Sequence, residues 1–264
     1  MIETKKNKYL THRWGTFFFY LPGIVVNSIW GWYPLILGLL VAFYKWPLIK
    51  PPHWVGLVNF YQVLEDPILG ISIKNTFYYT GLAIGLTFFI PIIVSILLME
   101  MKPKTMRIMM ILWFIPIASM ASIIIWKYFY DPSYGLFNGL LESLGLPPLG
   151  WLNDSSIAML CIVLPGLIMF APGLIYLASL QAIPLELYEA AELEGASLWQ
   201  KIWHVTLPRL RPIISMMLLL AIISHMQAFD SIYVMTAGGP GYATTTLMMR
   251  FYAVSYTHLT LPTN

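Results

Sequence analysis

Residues 76–101 read TFYYTGLAIGLTFFIPIIVSILLMEM, an apolar run long enough to cross a lipid bilayer as a helix. A hydrocarbon core about 30 Å thick needs roughly 20 such residues. Pro91 interrupts the run, and in water it would argue against helix. Within a bundle in lipid, a kink and neighbouring helices accommodate the carbonyl it frees. Gly81 and Gly85, four apart, mark a candidate close helix contact. Working outward, four further runs have the same character: Phe17–Tyr44, Arg107–Tyr130, Ile157–Leu180 and Pro212–Met235. Pro22, Pro34, Pro116, Pro165 and Pro172 interrupt these in turn. The expected fold is all-α, a polytopic membrane helix bundle.

Composition excludes the soluble alternative. Of 264 residues, 58% are hydrophobic and 10% charged, and mean hydropathy is +0.72. Ordinary soluble domains carry about 25% charged residues, and this chain lacks the polar surface a greasy soluble protein would need. A net charge of +3 comes without a basic run interleaved with aromatics, so nucleic acid is not an expected partner. The single cysteine, Cys161, lies within an apolar run and reads as a buried structural thiol. The first apolar run is too long for a signal peptide and has no small-residue cleavage site after it, so it reads as a retained helix.

Positive charges orient the chain. With the N-terminus in the cytoplasm, the inner segments hold Lys5, Lys6, Lys8, Arg13, Lys102, Lys104, Arg107, Lys201, Arg209 and Arg211. The outer segments hold Lys45, Lys50, Lys74, Lys127 and Arg250. That bias favours the N-terminus inside. Trp14, Trp46, Trp54, Trp126, Tyr128 and Trp151 lie near run ends, as interfacial belts require. The outer connections, Lys45–Asn75 and Asp131–Ser156, are punctuated by Pro51-Pro52, Asp66-Pro67, Asp131-Pro132 and Pro147-Pro148. Short surface helices against an external partner are expected there.

The connection between the fourth and fifth runs, residues 181–211, reads QAIPLELYEAAELEGASLWQKIWHVTLPRLR. Pro184 suits a first helical turn, and Glu186 and Glu189 suit a helix N-terminus electrostatically. Leu185–Glu194 is built of helix formers, and Gly195 offers a left-handed stop. Ser197 followed by Gln200 fits a capping box opening a second short helix. Pro208 is expected to end that helix and Pro212 to open the next span. The pattern describes a helix–turn–helix elbow, and by itself it equally fits an amphipathic linker lying on the membrane.

The spacing Glu189-Ala190-Ala191, three residues, Gly195, nine residues, then Val205-Thr206-Leu207-Pro208 resembles the EAA loop of ABC import permeases. Val205 stands where isoleucine is usual, and Glu194 where aspartate is common. Trp54–Tyr61 with Asp66-Pro67 and Asn75-Thr76, Asp131–Asn138, and Phe229–Gly241 resemble segments of the carbohydrate-uptake branch of that family. The resemblance covers residues 14–252. It implies a six-helix permease core, a second permease subunit, two cytoplasmic ATPase subunits holding ATP and Mg²⁺, an external solute-binding protein and a bacterial inner-membrane location. It implies import of sugars or related polyols or glycerol phosphates, with no catalysis and no cofactor or metal in this chain. It also implies that the helix at Glu189, Ala190, Ala191 and Gly195, with Leu207 and Pro208 behind it, docks in an ATPase cleft and couples its closure to alternating access. Ala190 and Ala191 would let the helix seat closely, and Gly195 would let the chain turn where a side chain would collide.

Polar groups inside spans are candidates for the solute path. Gln227, Asp230 and Tyr233, at i, i+3 and i+6, are expected to share one helix face and to hydrogen-bond solute hydroxyls. The alternative places Asp230 in solvent at the outer helix end, as part of the family's Phe-Asp pattern. Ser224 and His225 read as helix-contact residues. An intramembrane enzyme is disfavoured, because HExxH, GxSxG and clustered His/Cys ligand sets are all lacking, and so are Walker A glycines. An ion-coupled secondary transporter would share broken helices but would not need the EAA loop. Residues 1–252 are read as the permease domain with five spans. Residues 253–264 are read as a non-family tail left by truncation or a sequence artefact, with the family's sixth helix missing.

Overall fold

A computed structural model of the chain describes residues 16–46, 51–114, 120–168 and 173–259. It divides between Asp66 and Pro67 into two compact units. The expectations at Lys5, Lys6, Lys8, Arg13, Trp14, Lys50, Pro116 and Pro172 lie outside the described residues.

The first unit begins with α1 (Thr16–Val41), an apolar helix with none of its most hydrophobic window buried. That is how a helix solvated by lipid presents itself, since all its backbone groups are bonded within the segment. A π-helical turn at Ser28–Trp32 precedes Pro34, which sits in the first turn of the α segment that follows. The residues after Val41 turn into a two-stranded ribbon, β1 (Tyr44–Lys45) against β2 (His53–Trp54), rather than extending the helix to Tyr44. The Trp54 ring stacks on Phe43 at 5.5 Å and meets Tyr44 edge-on at 5.0 Å. From α2 (Val58–Leu64), the Asn59 amide donates to the carbonyls of Ala42 at 2.8 Å and Tyr44 at 3.0 Å, fixing the ribbon to α2.

The second unit is a helix bundle. Its elements are α3 (Pro67–Met99), α4 (Pro103–Phe114), α5 (Met120–Phe129), α6 (Leu136–Ser143), α7 (Ala158–Ile168) and α8 (Leu174–Gln181). They are followed by α9 (Leu185–Leu193), α10 (Leu198–Met226), α11 (Asp230–Thr236) and α12 (Leu247–Leu259). Among the described residues, α1, α3 and α10 are long and apolar enough to cross a membrane, and α7 is a shorter apolar helix. Helix α3 opens at Pro67, well before Thr76. The Asp66-Pro67 pair read as loop punctuation is a helix start, where the missing proline N–H leaves no bond unmade.

Two residue clusters make the core. Tyr79 and Ala83 of α3, Trp126 of α5, Met159 and Ile162 of α7, Ile232 and Met235 of α11 and Met249 of α12 are buried together. Cys161 is buried among them as a free thiol. Deeper along the bundle, Phe88 and Ile92 of α3 and Tyr176 of α8 pack with Ile213, Ile214 and Met217 of α10. The close crossings are not at Gly81 and Gly85, where an added Cβ would meet nothing within 4 Å. They are at Gly173, where a Cβ would lie 2.5 Å from Ser95 Oγ and 2.8 Å from Pro91 O, and at Gly166, 2.9 Å from Thr87 Cγ2. Ser95 Oγ joins the crossing, with hydrogen-bond contacts of 2.6 Å to Pro91 O and 3.1 Å to Gly173 O.

The last expected span, Pro212–Met235, departs most from its reading. Pro208 does not end a short helix and Pro212 does not open the span. One helix runs from Leu198 to Met226 with both prolines in it. A π-helical turn at Ile202–Thr206 precedes Pro208, which lies in the first turn of the α segment, where a proline is tolerated. The helix then breaks at Gln227, Ala228 and Phe229, before α11 resumes at Asp230. The break needs no Pro or Gly, because Thr246 Oγ1 donates to Ala228 O at 3.3 Å and satisfies an interrupted carbonyl. At the end of the chain, α12 continues past Tyr252 to Leu259. No Pro or Gly stops it, and propagation adds one bond per residue.

Candidate functional site

The elbow at residues 181–211 is built as a stiff unit. Pro184 is the N-cap of α9, with Glu186 in the first turn, where an acidic side chain complements the helix dipole. Its C-terminus closes by a double bond pattern: Gly195 N–H donates to Glu192 O at 2.9 Å and Ala196 N–H to Ala191 O at 2.9 Å. This arrangement requires a left-handed residue at the turn, and Gly195 has φ +77°. A Cβ there would meet nothing within 4 Å, so glycine is needed for its backbone angle and not to avoid a collision. The capping box is formed. Ser197 Oγ accepts from Gln200 N at 3.4 Å, and Gln200 Oε1 accepts from Ser197 N at 2.7 Å.

Two side-chain contacts join α9 to the base of α10. Lys201 Nζ pairs with Glu192 Oε1 at 2.7 Å, and the Tyr188 hydroxyl meets Thr206 Oγ1 at 3.0 Å. Thr206 is buried. Outward, the elbow is bare: Glu189 and Ala190 are exposed and Ala191 is half-buried. Leu193 is 91% exposed and Trp199 70%, with Leu185 and Trp203 also open. Leu207 is half-buried and Pro208 exposed. Glu189 thus stands exposed between small and large apolar residues on a helix whose C-terminus is closed.

The second expected set is only partly brought together. Gln227 is the exposed C-cap of α10, and Phe229, with φ −135°, separates it from α11. The three residues therefore do not share one helix face. Asp230 and Tyr233 do lie on α11, Asp230 exposed in its first turn and Tyr233 43% exposed. The Tyr233 ring stacks on Phe229 at 5.3 Å, and Tyr252 closes on both rings at 5.0 and 5.2 Å. Ser224 and His225, read as contact residues, line a cleft of about 510 Å³ with Thr87, Pro91, Gly166 and Gly173. The sequence offered no signal for this cleft beyond two glycines and a proline at unexplained positions.

Two connecting segments are tightly bonded. Asn138 of α6 is buried and makes four hydrogen bonds. It donates to Pro132 O and Leu149 O, both at 3.0 Å, and accepts from Leu149 N at 3.0 Å and Trp151 Nε1 at 2.7 Å. The Asn75 amide of α3 donates to Tyr242 O at 2.8 Å and Thr245 O at 3.0 Å, while Leu247 N donates to Thr76 Oγ1 at 3.0 Å. The Asp131 carboxyl is held below its ordinary range by the Ser133 N–H at 2.9 Å, opposed by desolvation and helped by the Tyr134 N–H at 3.2 Å.

Residues 104–260 match the profile of the binding-protein-dependent transport system inner membrane component. A probable ABC transporter permease of Pyrococcus horikoshii is 32% identical over 246 residues, covering 90% of this chain and 84% of that protein. The trehalose/maltose transport system permease of Thermococcus litoralis is 32% identical over 252 residues, covering 93% and 84%. The fold matches a crystal structure of a bacterial ABC transporter involved in the import of alginate, an acidic polysaccharide. That match has a TM-score of 0.81 at 24% identity and covers 96% of this chain and 88% of the other.

Proposed function

We propose, from the premise that this chain belongs to the binding-protein-dependent transport system inner membrane components and is an inner-membrane permease subunit of an ABC importer, that α9 is its ATPase-docking helix. The observation that carries this reading is the bare outer face of a rigid elbow. Leu185, Glu189, Ala190 and Leu193 stand open on a helix that Tyr188 and Glu192 tie to α10. Burying an exposed leucine is worth about 1.5–3 kcal/mol, so a partner groove gains much by covering this face.

In this reading the N-terminus and the elbow are cytoplasmic, and residues 1–252 form the transmembrane domain. ATP and Mg²⁺ are held by two partner ATPase subunits. A second permease completes the pathway, and an external solute-binding protein delivers cargo. Closure of the ATPases pushes α9, and because the elbow is capped and cross-tied, the push reaches α10 as a displacement instead of being lost in loop motion. Leu207 and Pro208 sit where that displacement enters the span. The solute class is sugars or related polyols, supported by relatives that include a trehalose/maltose permease. Asp230 and Tyr233, beside the stacked Phe229, suit hydroxyl recognition, with Gln227 at the break as a separate contact.

The test is uptake by cells expressing the complete transporter. Glu189→Lys and Gly195→Pro are expected to abolish uptake while the chain remains in the membrane at its usual level. Normal uptake by either variant at normal expression sinks the docking role. Growth on a carbohydrate panel, lost when this chain is deleted, identifies the solute class.

A further inference from the structure

The base of α10 is wound differently from the rest of it. At Ile202–Thr206 the helix is π, and the Leu207 N–H reaches back five residues to Ile202 O. The Thr206 hydroxyl follows the same step, donating to Lys201 O, five residues back, at 3.4 Å. Thr76, Thr87 and Ser215, in α-helical stretches, reach back four, to Ser72 O, Ala83 O and Arg211 O. The Thr206 side chain thus bonds across the wide turn. With its proton given to Lys201 O, its oxygen accepts from the Tyr188 hydroxyl of α9 at 3.0 Å.

Both ties between α9 and α10 end on the limits of this turn. Lys201, paired with Glu192, precedes it, and Thr206, bonded to Tyr188, closes it. A cleft of about 200 Å³, bordered by Met99, Glu100, Tyr188, Glu192, Lys201 and Thr206, lies beside the two contacts and gives them room to rearrange. Single π turns within α-helices concentrate at functional positions, because losing the extra residue changes helix phase by a discrete amount.

We infer that Tyr188 and Thr206 form a latch through which the position of α9 selects the register at the base of α10. With the latch closed the turn is π. When α9 is pulled away the turn relaxes to α, and the elbow end rotates about 100° and shifts about 1.5 Å against the span. The two are positioning residues that act through α10 and touch no solute. The inference rests on the docking role of α9 for its part in transport, but not for the latch itself.

The test therefore has two arms. Hydrogen–deuterium exchange on the detergent-solubilised chain is measured at residues 202–207 for Tyr188→Phe, Thr206→Val and Thr206→Ser. Exchange is expected to change about fivefold in Tyr188→Phe, which loses one hydrogen bond, and at least as far in Thr206→Val, which loses two, as the turn rewinds from five-back to four-back bonding, and to stay at the native level in Thr206→Ser. Unchanged exchange in Tyr188→Phe overturns the latch, whatever Thr206→Val does. The second arm measures ATP hydrolysis, without solute, by the complex purified through this chain from its own cells. Tyr188→Phe is expected to retain the ATPase subunits and to hydrolyse ATP about fivefold faster, because closure is no longer loaded by α10. Native hydrolysis alongside altered exchange overturns the latch's role in transport. Glu189→Lys, run in parallel, loses the ATPase subunits if the docking reading holds. If it keeps them, that reading fails while the exchange arm still judges the latch.

Discussion

Asn138→Ala removes a single small side chain and four hydrogen bonds at once. The amide bridges Pro132, near the start of the segment after α5, to Leu149 and Trp151, near its end, and it is buried while doing so. Each such bond is worth about 1 kcal/mol net, and a donor left buried without a partner costs about 1–3 kcal/mol. The two orphaned carbonyls belong to exposed residues, Pro132 and Leu149, and recover water; the Trp151 N–H, on a half-buried residue, recovers less. The expected destabilisation is about 2–4 kcal/mol, a fall in melting temperature of about 5–15 °C at this chain length. Unfolding of the detergent-solubilised protein, followed by tryptophan emission, measures it, with Trp151 itself in the affected bond. Asn138→Asp provides a control with a sign. Its carboxylate keeps both acceptor contacts but faces two carbonyls at 3.0 Å, so it should be at least as damaging at pH 7 and partly recover when protonated. A melting temperature within 1–2 °C of native for Asn138→Ala, under about 1 kcal/mol, refutes the reasoning.

Gly173→Ala forces a methyl to within 2.5 Å of Ser95 Oγ and 2.8 Å of Pro91 O, and the second of these is backbone. The expected cost is about 1–3 kcal/mol of overpacking strain, read as a lower melting temperature, while Gly81→Ala, with open space around it, stays within about 0.5 kcal/mol of native. The Asp131 carboxyl titrates below its unfolded value, so its contribution is complete above the unfolded pKa of about 3.9 and is lost as pH falls through the lower folded value. Amide exchange at Ser133 and Tyr134, corrected for intrinsic rates, should stay protected down to about pH 4 and open below it. Asp131→Asn should remove that dependence, and protection of these amides that ignores pH would show that the carboxylate does not hold the turn.

What the sequence revealed and what it hid divide by range. Gly195, Ser197 and Gln200 act within one turn of chain, and the stop and the capping box they signal both formed. Three of the five apolar runs fall on helices that are, among the described residues, long and apolar enough to cross a membrane, because lipid solvates side chains without regard to tertiary detail; the runs at 107–130 and 157–180 hold shorter helices. The break at Gln227–Phe229 was invisible, because its stabilising group, Thr246 Oγ1, lies 18 residues away from the carbonyl it satisfies. Pro208 and Pro212 misled for the converse reason. Read locally they end and open helices, but the π turn before Pro208 carries the chain on as a single helix. At the elbow, the motif residues were legible, whereas Tyr188 and Lys201 acquire meaning only when α9 folds back onto α10.

The anchor at Asn75 sets a clock on biosynthesis. Its amide partners, the carbonyls of Tyr242 and Thr245, lie 167 and 170 residues further along the chain, and the N–H that meets Thr76 lies 171 further on. At about 5–20 residues per second, a ribosome takes roughly 10–30 s to deliver them after α3 has been made. Through that interval the Asn75 amide lacks the partners it has in the folded chain, so this end of α3 settles only after they arrive. The segment from Thr236 to Leu247 then acts as a closing stitch, joining the early half of the nascent protein to the late one.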